Sequence, residues 1–466
     1  MLQKVKDISF KTLIAIIVIA CIFVMLFTFY YCDTRSLTVW AMNIWDLISE
    51  NRLMEFYEYS AENLREAFHD NCKGNFMMLF PLAIWNLPVW FMQHFGGMPY
   101  TLTTTLVIWS KLFFVFCTVI TAVFGYKICS LMHVDKNKKW LAVCLILVSP
   151  EILVSTCYAG QDEIVYICLF MIAIYFYLRG KMIPFLICSI LSITFSFIMI
   201  MPYLLLVLIK EKNVIKDIFY VGITIVPTVI FEYVYRDVEA YQNCKTDLAL
   251  WIDEMFGLST IETTYGSMSV MAVLLVLVYF FAYTSIHLTR NLAEDIPKVF
   301  FMLTIVMSAA SFLLDNYFYR CFLYVPFLII FLMISKQSLE MNMFLLVILT
   351  YVRMYLCLGV NNTQNMNMLY LLQSGTMMRW VNNYSNPWYL EVGLSMNEVL
   401  LDKFPVLASL TGLFSSIAFA AVLLLLFSNS PLCRKEYKIN INAKLLIFGY
   451  AMCMPLFMAA FYVMVF

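Results

Sequence analysis

The sequence predicts an all-α polytopic membrane protein, and three observations predict it. Of 466 residues, 63% are hydrophobic and only 13% are charged, too few charges to clothe a water-soluble globule of this size. The apolar residues gather in runs near one bilayer thickness, ~20 residues of helix. The short connections between many of those runs are basic, the bias expected of cytoplasmic loops. They are "DKNKKW" (Asp135–Trp140), "LRGK" (Leu178–Lys181), "KEKN" (Lys210–Asn213), Arg290 to Lys298, "SKQ" (Ser335–Gln337) and "CRKEYK" (Cys433–Lys438). The formal net charge is zero, so no basic excess points to nucleic acid. The 14 cysteines lie mostly in apolar runs without CxxC spacing, which suits core-filling residues better than a disulfide framework or metal sites.

Taken in order, the first span is 12–31, preceded by Lys4, Lys6 and Lys11 and lacking a small-residue cleavage site, so it reads as retained. The next apolar runs are 104–128, 140–157, 164–178, a short hairpin over 183–209, and 214–235. They continue with 268–288, 298–314, 319–334, 339–358, 404–427 and 443–466, about 13 crossings in all. The basic connections fall on one side only if Gly74–Gly97, broken by Pro81 and Pro88, lies along the outer interface. The chain then reads as one membrane domain, 1–466, with long external loops at 32–103, 236–267 and 359–403. In the first loop, Asp46, Glu50, Glu55, Glu58, Glu62 and Glu66 alternate with apolar residues at helical spacing. That pattern predicts helices on the membrane surface with a solvated acidic face.

Several ionisable residues far apart in sequence share one depth, the outer mouth of the spans. Asp33 follows the first span in "FTFYYCDTRSL"; Asp162 and Glu163 open a span in "STCYAGQDEIVYICLF"; Asp315 and Arg320 occupy the short connection in "LLDNYFYRCFLYVPFLIIF". Charges at that depth are costly unless paired, solvated or used, and the default expectation for them is a functional site. A sugar carried on a polyprenyl phosphate presents its anomeric carbon and its phosphate at the same depth. Its transfer needs a carboxylate to take the proton of the attacking hydroxyl, and a cation to hold the charge growing on the phosphate. Asp33 suits the base. Arg320, Lys111 within its span, or a divalent metal held partly by Asp162 suits the cation.

Three stretches resemble integral-membrane glycosyltransferases of the GT-C class that use polyprenyl-phosphate sugars, especially the bacterial mannosyltransferase-like ones. "YCDTRSLTVWAMNIWDLISENRLMEFYEYS" is similar to that family's first external loop, with an acid just after the first span and a Trp-bearing helix. "YAGQDEIVYICLFMIAIYFYLRGK" is similar to its "GQxD" element, and "NYFYRCFLYVPFLII" to its "HERY...P" element. The resemblance implies a GT-C-type fold with interfacial helices in the first external loop. It implies Asp33, Asp162 and Glu163 as catalytic carboxylates, the adjacent pair leaving open which of the two takes the family role. Gln161, Arg320, Lys111 and Arg35 are the candidate substrate-binding residues, with Phe318 and Tyr319 standing where the family has His and Glu.

The activity expected is transfer of a single hexose, with inversion, from a polyprenyl phosphate to an acceptor hydroxyl in cell-surface glycan or glycolipid assembly. The expected partners are the lipid-linked donor, a glycan or lipid-linked acceptor and the bilayer, with no nucleic acid. The expected place is a bacterial plasma membrane, with the site facing outward. Trp380, Tyr384, Trp388 and Tyr389 are candidates for stacking on sugar rings or for an interfacial aromatic belt, and Asn361 and Asn383 open N-x-S/T sequons. A lipid-linked glycan transporter and a polysaccharide polymerase are the alternatives. A transporter predicts broken helices near the midplane, and a polymerase predicts release of a polyprenyl diphosphate.

Overall fold

Ser and Asn residues at the ends of apolar runs set where many helices begin. In the computed structural model, which describes residues 9–30, 32–62, 76–100, 102–243, 256–257, 259–264, 266–286, 292–313, 320–360, 367–368, 404–430, 433 and 435–465, nearly all regular structure is helical. The first helices are α1 (Phe10–Thr28), α2 (Cys32–Ser49), α3 (Phe56–Glu62), α4 (Phe76–Phe95) and α5 (Thr104–Leu131). They are followed by α6 (Lys136–Val148), α7 (Pro150–Leu153) with a π-helical turn Val154–Tyr158, α8 (Glu163–Leu178), α9 (Met182–Phe195), α10 (Ile200–Glu211) and α11 (Val214–Tyr235). After the short α12 (Glu239–Gln242) come α13 (Val270–Ser285), α14 (Leu292–Leu313), α15 (Val325–Ile334) and α16 (Leu339–Met354), which continues as a π-helical turn Tyr355–Val360. The last helices are α17 (Pro405–Ser409), α18 (Thr411–Asn429) and α19 (Ala443–Val465). Thr103, Asp135, Asn213, Ser269 and Ser338 each accept a backbone N–H in the first turn of the helix that follows, which fixes these start points.

Seven of these helices are long and apolar enough to cross a membrane, or eight if the bent pair of α6 and α7 is one span, and five further apolar helices are shorter. The chain is therefore a multi-pass, all-α membrane protein. Its outer surface agrees: α11 exposes Ile215, Ile218, Phe219, Val226 and Ile230, and α13 exposes Val276 and Phe280, an apolar belt that only lipid would cover without aggregation. Inside, polar side chains join helix to helix, as Asn429 Nδ2 donates to Asn342 Oδ1 (2.8 Å) and Ser192 Oγ to the carbonyl of Tyr166 (2.8 Å).

The basic connections gather at one end of the bundle. Lys11 Nζ donates to Asn137 Oδ1 (2.8 Å), joining the starts of α1 and α6. Lys212 donates to the carbonyls of Ala282 and Tyr283 and so satisfies the end of α13, and burial pushes its ammonium down from the ordinary lysine value. Gln337 donates to the carbonyls of Ser428 (2.8 Å) and Lys435 (2.6 Å), tying the α15–α16 turn to the end of α18. The expected hairpin over 183–209 is a pair of helices whose basic ends meet, with Lys210 Nζ 2.6 Å from Met182 Sδ. At 14 and 12 residues, α9 and α10 run only ~21 and ~18 Å, short of a full bilayer core.

Two expectations about the first external loop change. The segment with Pro81 and Pro88 is not broken: α4 is continuous through both. Two of its carbonyls accept from neighbouring helices, that of Ala83 from Trp45 Nε1 (2.6 Å) and that of Trp85 from Trp109 Nε1 (3.1 Å). By length and composition α4 qualifies as a span, and its middle packs along α5, Trp85 against Trp109, Phe113 and Phe116. The Phe76 N–H donates to Tyr57 Oη (3.2 Å), and the Phe76 ring stacks near Phe231 of the last turns of α11. At its other end, His94 and Gln93 reach Asp46 and Pro99 just before α5 begins. The second change concerns α2, which is buried on nearly every side and is no solvated surface helix. Asp46 is 3% exposed and accepts from Trp90 Nε1 (2.7 Å) and Tyr100 Oη, so neighbouring helices supply the polar contacts that water was expected to give. A reporter fused at Asn137 should score cytoplasmic and one at Asn51 external. A cytoplasmic score at Asn51 would put the α2 end on the wrong side of the membrane.

Candidate functional site

The second helical break of the α6–α7 segment creates the site. Pro150 cannot donate a helical hydrogen bond, so α6 stops at Val148 and α7 restarts at a 42° bend, with Ser149 Oγ capping Ile152 N. The π-helical turn Val154–Tyr158 then widens the backbone, and Gly160 reverses it at φ +56°. Gln161 N bonds back to Ser155 O (3.0 Å), which brings Asp162 and Glu163 to the start of α8. Asp162 is the N-cap residue yet makes no side-chain capping bond, and its side chain is half-buried. Glu163, in the first turn, is buried, where the positive end of the helix favours its charge.

From the first loop, α2 packs directly onto this turn. Thr34 Oγ1 donates to the carbonyl of Ala159, and the contact at Gly160 is so close that a Cβ there would lie 2.6 Å from Thr34 Oγ1. Asp33 is the residue before Thr34 and the second residue of α2; its side chain lies outside the described residues. Arg35 follows in the same turn and is 1% exposed. From the later connection, Arg320 Nε donates to Glu163 Oε1 (3.4 Å), an ion pair between residues 157 positions apart. Asp315, Phe318 and Tyr319 of the same connection lie outside the described residues. Lys111, fully buried about two turns into α5, is within electrostatic reach of Cys157 in the π-helical turn.

The structure thus brings the neighbour of Asp33, the Gln161–Glu163 stretch and Arg320 to one place, with Lys111 beneath. No family profile, curated protein or solved structure matched this chain. The site's chemistry therefore rests on its own residues: the Arg320 guanidinium beside a buried carboxylate, Glu163, and a half-buried one, Asp162. Among the described residues no three His, Cys, Asp or Glu side chains converge as metal ligands. Glu163 is engaged by Arg320, and Asp162 stands beside it at the start of α8.

The sequence reading did not single out Tyr166, fully buried one turn into α8 and within electrostatic reach of Glu163, Arg320 and Asp162. Its carbonyl accepts from Ser192, and Ser196 at the tip of the α9–α10 hairpin adjoins its hydroxyl, so the hairpin ends against the site. Glu151 was also passed over, although a lone acid after a proline in "LVSPEILV" was visible as a charge inside a span. Two residues of the stretch 359–403 return to the same place. Asn367–Met368 (β4) pairs antiparallel with Phe29–Tyr30 (β1), immediately before α2. Trp380, Tyr384, Trp388, Tyr389, Asn361 and Asn383 lie outside the described residues. A second small hairpin, Thr260–Thr263 (β2) with Gly266–Ser269 (β3), closes the loop before α13.

Proposed function

We propose that the protein is a membrane glycosyltransferase of GT-C type, with about 13 crossings when α9 and α10 count as two arms. It moves a single sugar from a polyprenyl phosphate to an acceptor hydroxyl at the outer face of the membrane, in cell-surface glycan or glycolipid assembly. What carries the reading is one convergence: the residue after Asp33 bonds the residue two before Gln161, while Arg320 pairs with Glu163 beside Asp162. In this mechanism the donor phosphate lies at Arg320 and Asp33 takes the proton of the acceptor hydroxyl as it attacks the anomeric carbon. The bond to phosphate oxygen breaks and Arg320, backed by Lys111, holds the charge that develops there. Glu163 orients the guanidinium, and Asp162 meets the sugar or phosphate through a hydrogen bond. No step is routed through a metal.

Pairing with Arg320 revises what the two adjacent carboxylates are expected to do. Glu163→Gln removes the partner of the guanidinium, so its loss of turnover should match that of Arg320→Lys, whereas Asp162→Asn should chiefly raise the donor KM. Arg320→Lys keeps a charge but not the fork that can hold Glu163 and phosphate oxygen together. Loss of one charge-assisted hydrogen bond corresponds to roughly 10- to 100-fold in turnover. The measurement is release of polyprenyl phosphate from a polyprenyl-phosphate monosaccharide by purified protein. Wild-type turnover in both Arg320→Lys and Arg320→Ala would move the phosphate elsewhere.

The bend at Pro150 and the α9–α10 hairpin are features that transporters also use, and they favour translocation of a lipid-linked glycan as the second reading. The same assay separates the two, since a transporter releases no polyprenyl phosphate. A polymerase would release the diphosphate from a longer donor.

A further inference from the structure

A second group of charges lies behind the site. Glu151, 1% exposed in the first turn of α7, accepts from Ser149 Oγ (2.9 Å) and is within electrostatic reach of Arg353 near the end of α16. Arg353 Nη2 donates to both the carbonyl (2.6 Å) and Oγ (3.0 Å) of Ser311 in α14, with its guanidinium 4.0 Å from the Phe312 ring centre. Ser311 Oγ in turn donates to Cys321 O (3.1 Å), with Arg320 O at 3.4 Å. Arg353 therefore reaches the backbone of Arg320 through one serine. The path also closes on itself. From Glu151 the chain runs through the π-helical turn to Glu163, which pairs with Arg320; from Arg320 it returns through Ser311 to Arg353 and Glu151. A π-helical turn flanks each side of this ring, Val154–Tyr158 after Glu151 and Tyr355–Val360 after Arg353.

Polar contacts of this strength inside a span are costly to retain without use. We propose that Arg353 is a positioning residue: acting through Ser311, it fixes the backbone at Arg320 and Cys321 so that the Arg320 guanidinium meets Glu163 and the phosphate. This rests on the functional reading above, in which Arg320 holds the leaving phosphate. Arg353 makes no contact with substrate in this role; it sets where another residue's charge stands.

The test is a kinetic cycle on purified full-length protein with a polyprenyl-phosphate monosaccharide as donor. Arg353→Met, which keeps an apolar stem in the membrane, should lower kcat by roughly a hundredfold, the scale of a misplacement of about 1 Å at a reacting centre. The donor KM should change little. Arg353→Lys should recover much of the rate, because both bonds to Ser311 start from one nitrogen. Ser311→Ala, a milder change that keeps the helix, should show the same kcat defect, and neither variant should add to the loss in Arg320→Gln. If Arg353→Met or Ser311→Ala multiplies the loss of Arg320→Gln, or if Arg353→Lys rescues nothing, Arg353 does not act through Arg320. If wild-type protein releases no polyprenyl phosphate, the glycosyltransferase reading falls and this role falls with it; an active wild type with independent effects overturns the positioning role alone.

Discussion

Asp33→Asn should leave a folded protein that still binds the lipid-linked donor but transfers sugar at least about a hundredfold more slowly, the usual scale for loss of a general base. The expectation starts from chemistry. An acceptor hydroxyl attacks an anomeric carbon only as its proton leaves, and an amide cannot take that proton. Position then selects the residue. Asp33 is the second residue of α2, and the next residue, Thr34, is bonded to Ala159, three residues from Asp162. The backbone of Asp33 is thereby held beside the turn that carries Asp162 and Glu163. A polar replacement of equal size keeps the helix start and its packing, so thermal denaturation should be close to wild type while turnover falls. The donor KM separates roles: it should stay near wild type for Asp33→Asn and rise for Asp162→Asn, because the proposed mechanism gives one residue the acceptor proton and the other the donor. Full activity of Asp33→Asn in the purified transfer assay would remove the base from this position.

Much of this arrangement was legible in the sequence because membrane solvation imposes one-dimensional rules. A run of apolar residues long enough to cross marks a candidate span, and Lys and Arg in short connections mark one side, so the places of Asp162, Glu163 and the basic turns could be read directly. Asp162 and Glu163 do stand at the start of α8, and Lys181 and Lys210 do flank a short hairpin. What could not be read is which charge meets which. Glu163 and Arg320 are 157 residues apart, and nothing local to either stretch favours that pair over Asp162 with Arg320. The same holds for Glu151 of α7 and Arg353 of α16, which lie within electrostatic reach of each other. Amphipathic spacing misled for a related reason: Asp46 looks like one rung of a solvated face, but Trp90 and Tyr100 take the place of water. Periodicity reports which side of a helix is polar and leaves open whether water or another helix satisfies it. The prolines of α4 misled because a helix can continue through a proline where neighbouring helices pack on it, as α2 and α5 do here through Trp45 and Trp109.

Gly160→Ala should destabilise the protein by roughly 2–5 kcal/mol, the sum of placing a side chain in the left-handed region and of forcing it against a neighbour. Gly160 sits at φ +56°, so any L side chain is strained there before packing is considered. The added Cβ would also lie 2.6 Å from Thr34 Oγ1 and 2.7 Å from Thr34 Cγ2, distances that real Cβ contacts do not show. Thr34 is bonded to Ala159 in the buried seam between α2 and the π-helical turn, so it cannot swing aside without losing that bond. The backbone must part, and with it the start of α2, which carries Asp33, would move away from the Gln161–Glu163 turn. Transfer should therefore fall more steeply than stability alone explains. Two further variants divide the causes. Gly160→Asn meets the same wall but tolerates the backbone conformation better, so it should be less destabilised than Gly160→Ala by about 1 kcal/mol. Thr34→Ala in the Gly160→Ala background removes both overlapping atoms, leaves the original Thr34 Cβ position 3.2 Å away, and forfeits one hydrogen bond worth about 1 kcal/mol. It should recover part of the stability and part of the turnover. Thermal denaturation in detergent and the transfer assay read the two effects on the same samples. A Gly160→Ala protein as stable and active as wild type would mean that α2 does not press on this turn, and Asp33 would lose the contact that sets it beside Asp162.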